Sequence, residues 1–190
     1  MIQTSLTLLE RLREGGDEAA WERLVRLYTP LIRGWLRRHL PQADDVDEVT
    51  QQVFQVVVEK MPAFEHAGRA GSFRAWLRGI CVNRVRLFWR ERQPGWGPDP
   101  EPVLQQLEDP HSDLSRQWDR EHDEHVVASL LRTVQGDFAP VTWQAFLRHV
   151  QEGEPAGQVA EALGMSLNSV LLAKSRVLKR LRQEAAGFVD

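Results

Sequence analysis

The sequence holds a single cysteine, Cys81, so no internal disulfide can staple it. That suits a reducing compartment and predicts a cytoplasmic protein. Long hydrophobic stretches are also missing. Runs such as Val56-Val57-Val58 fall far short of the ~20 apolar residues that a membrane-spanning helix needs. Met1 to Arg11 is amphipathic and lacks the apolar stretch of a secretory signal. Alternating strand patterns are absent, which argues against a β or mixed fold. No phosphate-cradling glycine loop, zinc-protease pair or nucleophile elbow occurs, so the chain is not expected to be an enzyme or to need a cofactor. His122 and His125 could share a helix face, but the acids around them read as a solvated helix rather than a metal site. Asp44, Asp45, Asp47 and Glu48 lack the glycine-bearing loop of a calcium site.

A surplus of positive charge is lacking too: the net charge is -3. The average conceals a segregation. Arg69, Arg74, Arg78, Arg84, Arg86, Arg90 and Arg92 lie in one segment that holds a single acid, Glu91. The next segment is acidic, with Asp99, Glu101, Glu108, Asp109, Asp113, Asp119, Glu121, Asp123 and Glu124. The C-terminal segment is basic again, with Lys174, Arg176, Lys179, Arg180 and Arg182. Local charge decides where a polyanion binds, so the two basic segments outweigh the sum.

At 190 residues, the chain can fill one large core or two small ones. The pattern predicts an all-α fold. Asp17 can cap a helix from Glu18 towards Arg38, with Trp21, Leu24, Leu27, Tyr28, Leu31 and Trp35 on one face. A second helix opens near Pro41 and Asp44 and reaches about Met61, and Ser72 can cap a third towards Arg92. From 94 to 113, Pro94, Gly95, Gly97, Pro98, Pro100, Pro102 and Pro110 predict a flexible acidic linker. The expected division is a first domain over 1–93, the linker over 94–113 and a second domain over 114–190.

In the second domain, Val159, Ala160 and Leu163 give a short helix an inner face. Gly164 permits a tight turn, Ser166 can cap the next helix, and Val170 packs back. That is the layout of a helix-turn-helix, whose second helix enters the major groove of DNA. The stretch from Glu154 to Leu181 resembles the fourth conserved region of bacterial RNA polymerase sigma factors. By that resemblance Ser166, Asn168, Ser169, Lys174, Ser175, Arg176 and Lys179 face the minus-thirty-five promoter element. One departure stands out. After Val170 the family commonly carries a basic-polar cluster, where this chain has Leu171-Leu172-Ala173. Leu171 and Leu172 lie off the core face, where they could meet thymine methyl groups or another protein.

The N-terminal half carries the resemblance further. Asp45-Val46-Asp47-Glu48-Val49-Thr50-Gln51-Gln52-Val53-Phe54 sets a valine stripe against a polar one. It resembles the second conserved region of sigma factors, with Thr50 and Gln52 replacing the commoner Val and Glu. The resemblance implies that Asp47, Glu48, Gln51, Gln52 and Gln55 dock on the clamp helices of the polymerase largest subunit. The segment from Gly71 to Arg90 alternates aromatics with arginines and is similar to the part of the family that opens and reads the minus-ten element. Arg69, Arg78, Asn83, Arg84, Arg86 and Arg90 are the DNA contacts implied there, and the loop from Glu65 to Ala70 lies where the family captures an unstacked base.

The whole is similar to the extracytoplasmic-function (ECF) sigma factors, built of two small helical domains. Promoter DNA and the RNA polymerase core are the expected partners, with an anti-sigma factor as a further candidate. Two alternatives stand beside this reading. One is a helix-turn-helix regulator that works without polymerase; the other is a protein-interaction adaptor that keeps a degenerate form of the fold.

Overall fold

The computed structural model describes residues 8–65, 71–91 and 99–185. Every regular element among them is helical. In chain order these are α1 (Leu8–Glu14), α2 (Glu18–Leu36), α3 (Ala43–Lys60), a 3-10 turn (Met61–Ala63) and α4 (Ser72–Glu91). Then follow α5 (Glu101–Glu108), α6 (Asp113–Gln135), α7 (Pro140–Phe146), a π-helical turn (Leu147–Gln151), α8 (Ala156–Leu163) and α9 (Leu167–Ala185). None of these helices is long and apolar enough to cross a membrane. The chain forms two compact units, and the division falls inside α6, between Val126 and Val127.

In the first unit, Asp17 caps α2 as its position predicts: its Oδ1 accepts from the Ala20 amide at 2.9 Å. Its other oxygen accepts from Arg11 Nε at 2.7 Å, which ties α1 to the start of α2. Leu24, Tyr28, Ile32 and Trp35 face inward from α2, and Val46, Val49, Val53 and Val57 from α3. Phe73, Leu77, Ile80, Cys81 and Val85 of α4 complete the layer. Cys81 is fully buried, and burial pushes its thiol well above the ordinary range, which fits a small packed hydrophobe. Tyr28 and Phe73 meet edge to face with ring centroids 5.4 Å apart.

The acidic segment departs from its expected form. Residues 101–108 are helical as α5, because Pro102 sits in the first turn, where the missing N–H costs nothing. Leu104 and Leu107 of α5 are buried, and so are Ser115, Trp118 and His122 of α6. Trp118 meets Trp35 edge to face at 5.4 Å, and Ser115 Oγ donates to the Leu107 carbonyl at 3.0 Å. The first unit thus extends to Val126, past the expected boundary at 93. The sequence signal was weak because the apolar residues of α5 span barely two turns amid prolines and acids. The more glycine-rich stretch from Gln93 to Pro98 lies outside the described residues.

His122 also differs from its expectation. It is not on a solvated face: 1% of it is exposed, and its Nε2 lies 3.1 Å from Tyr28 Oη. Its Nδ1 lies 2.9 Å from Asp123 Oδ1. His125, half-buried, meets the Leu27 carbonyl at 2.7 Å. These histidines join α6 to α2.

The second unit holds two connected clusters. Val134, Trp143, Phe146 and Val177 form one. Ala145, Val159, Ala160, Val170 and Ala173 form the other, where three alanines let α7, α8 and α9 approach closely. Arg148 and Glu154 pair at 2.8 Å around the π-helical turn.

Two histidines make the first unit acid-sensitive. Burial, aided by the Arg38 cation, holds His39 down to about 4, and burial lowers His122 although Asp123 opposes it. Both stay neutral when folded at a pH where the unfolded chain binds protons, so stability is lost as pH falls below about 6.5. The melting temperature should therefore drop between about pH 7 and about pH 5, and His39→Gln should flatten that drop. An unchanged slope in thermal melts of the variant would remove His39 from the account.

Candidate nucleic-acid and protein interfaces

With its valines turned inward, α3 presents an outer face built from Asp47, Glu48, Gln51, Gln52 and Gln55. Asp47 pairs with Arg33 at 2.7 Å, and Gln52 Nε2 donates to Glu48 Oε1 at 3.2 Å. Gln51 and Gln55 are exposed and have no partner among the described residues. Val58 continues the same stripe and is 51% exposed. Sequence reading missed it, because within Val56-Val57-Val58 only the helical phase shows which valine turns outward.

The arginines of α4 meet different fates. Arg78, expected at DNA, is only 6% exposed, and its Nη1 donates to Asp119 Oδ1 at 3.1 Å. It is a structural cation here, because α6 covers it. Arg74 is also engaged, with Asp123 at 2.7 Å and Asp119 at 3.3 Å. Arg86 is held from α5: Nε and Nη2 donate to the two oxygens of Glu101 at 3.1 Å each, and Nη1 donates to Glu108 at 2.8 Å. These bonds hold the Glu101 carboxyl below the usual carboxylate range and raise the Arg86 guanidinium. Asn83 is exposed, and its Oδ1 accepts from Arg86 at 3.4 Å. Arg84, half-buried, and Arg90, exposed, have no acid partner among the described residues. Arg69 and the loop from His66 to Ala70 lie outside the described residues.

The helix-turn-helix forms as its residues predict. Gly164 adopts φ 63°, the left-handed conformation in which a side chain is strained. The Met165 amide then donates to the Ala160 carbonyl at 2.8 Å. Ser166 Oγ accepts from the Ser169 amide at 3.1 Å and lies 2.8 Å from the Ser169 hydroxyl. Both hydroxyls are thus occupied in the turn as well as standing near the outer face. Asn168, Lys174, Ser175, Arg176 and Lys179 are exposed, and the three cations have no acid partner among the described residues. Arg180, read from sequence as available to phosphate, is instead held by Asp137 at 2.8 Å and Glu184 at 2.6 Å.

Comparison with known proteins decides what this arrangement belongs to. The family described as Sigma-70 region 2 matches residues 24–94. The RNA polymerase sigma factor HrpL of Pseudomonas syringae pv. syringae is 27% identical over 183 residues, covering 93% of this chain and 92% of that protein. The ECF RNA polymerase sigma factor RpoE of Cereibacter sphaeroides is 30% identical over 103 residues, covering 51% of this chain and 56% of the relative. The RNA polymerase sigma-E factor of Streptomyces coelicolor is 26% identical over 169 residues, covering 89% and 88%. The chain is an ECF sigma factor.

As a sigma factor it is not an enzyme; it contributes binding to the polymerase core and to promoter DNA. Membership sets aside the regulator that works without polymerase. The region 2 match ends at residue 94, whereas the compact unit around it continues through α5 into α6.

A Cβ added at Gly164 would meet nothing within 4 Å, so Gly164→Ala is penalised through the backbone alone. The variant should lose about 1–2 kcal/mol in denaturant unfolding followed at the second unit. A loss below a few tenths of that range would show that the turn relaxes at no cost.

Proposed function

We propose that this sigma factor docks on the clamp helices of the polymerase largest subunit through α3, and that α4 helps open and read the minus-ten element. In the same proposal α9 enters the major groove of the minus-thirty-five element. The observation that carries the reading is the outer face of α3. Its valine stripe is spent on the core, while Glu48, Gln51, Gln55 and Val58 face outward. A polar face that ends in an exposed valine suits a protein partner, with an apolar anchor inside a hydrogen-bonding rim.

Asn83, Arg84 and Arg90 offer α4 an amide and two cations for a melted strand. Arg86 can join them only by exchanging Glu101 and Glu108 for phosphate. The acids of α5 hold the place that a nucleic-acid backbone would take, so the free protein has a weaker DNA surface than its composition implies. The linker segment thereby acts as an internal competitor.

Two measurements test these assignments. Glu48→Ala, Gln51→Ala and Gln55→Ala combined should weaken binding to purified polymerase core by tenfold or more (about 1.4 kcal/mol or above) with an unchanged melting temperature. Undiminished core binding would remove α3 from the docking surface. Glu101→Gln with Glu108→Gln should raise the affinity of the free protein for non-specific DNA and steepen its decline with salt, because one more cation meets phosphate. If binding and its salt slope stay as in the parent protein, α5 does not compete.

A further inference from the structure

The outer face of α9 carries more apolar surface than phosphate contacts can use. Leu167, Leu171 and Leu172 are 53%, 46% and 44% exposed. At 100° per residue, Asn168, Leu172, Ser175 and Lys179 fall on one stripe, with Leu171 beside it. Lys174 lies to one flank of that stripe and Arg176 to the other, both exposed and without an acid partner among the described residues. Cations on both flanks, and a centre that is neutral from Asn168 to Ser175 and reaches a cation only at Lys179, match a major groove, where phosphates line both walls and base edges form the floor.

The centre of the stripe is where the chemistry becomes specific. Ser166 and Ser169 are bonded to each other at the turn, which leaves Asn168 and Ser175 as the polar side chains flanking the two leucines. The thymine C5-methyl is the apolar group that a base pair presents in the major groove, and an Asn amide fits the N6/N7 edge of adenine. A protein partner fits less well. Stable interfaces bury about 800 Å² on each side, and three half-exposed leucines flanked by Asn168 and Ser175 give only a small apolar patch.

We infer that Leu171 and Leu172 are specificity residues that read thymine methyl groups, next to an adenine read by Asn168. The upstream element is then A·T at adjacent base pairs beneath this part of α9. The inference rests on the reading of α9 as the helix that enters duplex DNA. Burying a methyl-sized group contributes about fourfold in affinity, so the preference is measurable one methyl at a time.

The experiment uses the full chain bound to polymerase core and a duplex library randomised upstream of a fixed start region. Selection should enrich adjacent A·T pairs. Replacing the selected thymines with deoxyuridine, which removes only the methyl group, should weaken binding by about fourfold per site. Leu171→Ala with Leu172→Ala should bind the thymine and deoxyuridine duplexes equally, with core binding and salt dependence unchanged. Enrichment of G·C at those positions, or deoxyuridine binding as well as thymine in the parent protein, would overturn the inference while leaving α9 a duplex reader. If no upstream sequence were enriched although the holoenzyme still bound downstream, the reading of α9 would fail as well. Loss of core binding in the double variant would make the patch a protein contact and overturn the inference.

Discussion

A guanidinium that lies against an apolar core needs an acid within hydrogen-bonding reach. Leaving it unpaired there costs several kcal/mol of lost hydration. The first unit is organised around that constraint. Helix α4 turns Phe73, Leu77, Ile80 and Val85 inward and carries Arg74, Arg78 and Arg86 along its borders. The acids that answer them come from α5 and α6, which are therefore drawn onto the unit with their own leucines and Trp118. Composition suggests a spacer; the pairing makes a wall.

The individual pairs differ in weight. Arg78 is nearly buried, whereas Asp119 is 30% exposed and also reaches Arg74, so removing Asp119 would strand the Arg78 charge. The pairs of Arg86 with Glu101 and Glu108 are partly open to water, where such contacts contribute up to about 1 kcal/mol and weaken with salt. That gradient separates permanent attachment from exchangeable cover. Near Trp118 and His122 the acidic segment is part of a core. At Arg86 the contact is the more open one, as the proposed exchange for a polyanion requires.

Much of this was legible beforehand. The Asp17 cap, the valine stripe of α3, the aromatic spacing of α4 and the Gly164 turn follow from short-range rules, because each depends on residues within two helical turns. The division of the arginines was not legible. Arg78 and Arg90 look alike in sequence, yet one is covered by a helix some forty positions later in the chain and the other is open. His122 misled for the same reason: its acidic neighbours suggested water, and Tyr28, far away in sequence, supplied the hydrogen bond.

The amino-acid order by itself determined the helical class, the turn geometry, the inward face of each long helix and the sigma-factor resemblance, all of which are local patterns. Tertiary structure alone decided which cations remain free. Charge balance is settled between helices distant in sequence, and an arginine stays open or is retired against the core according to whether a carboxylate packs beside it.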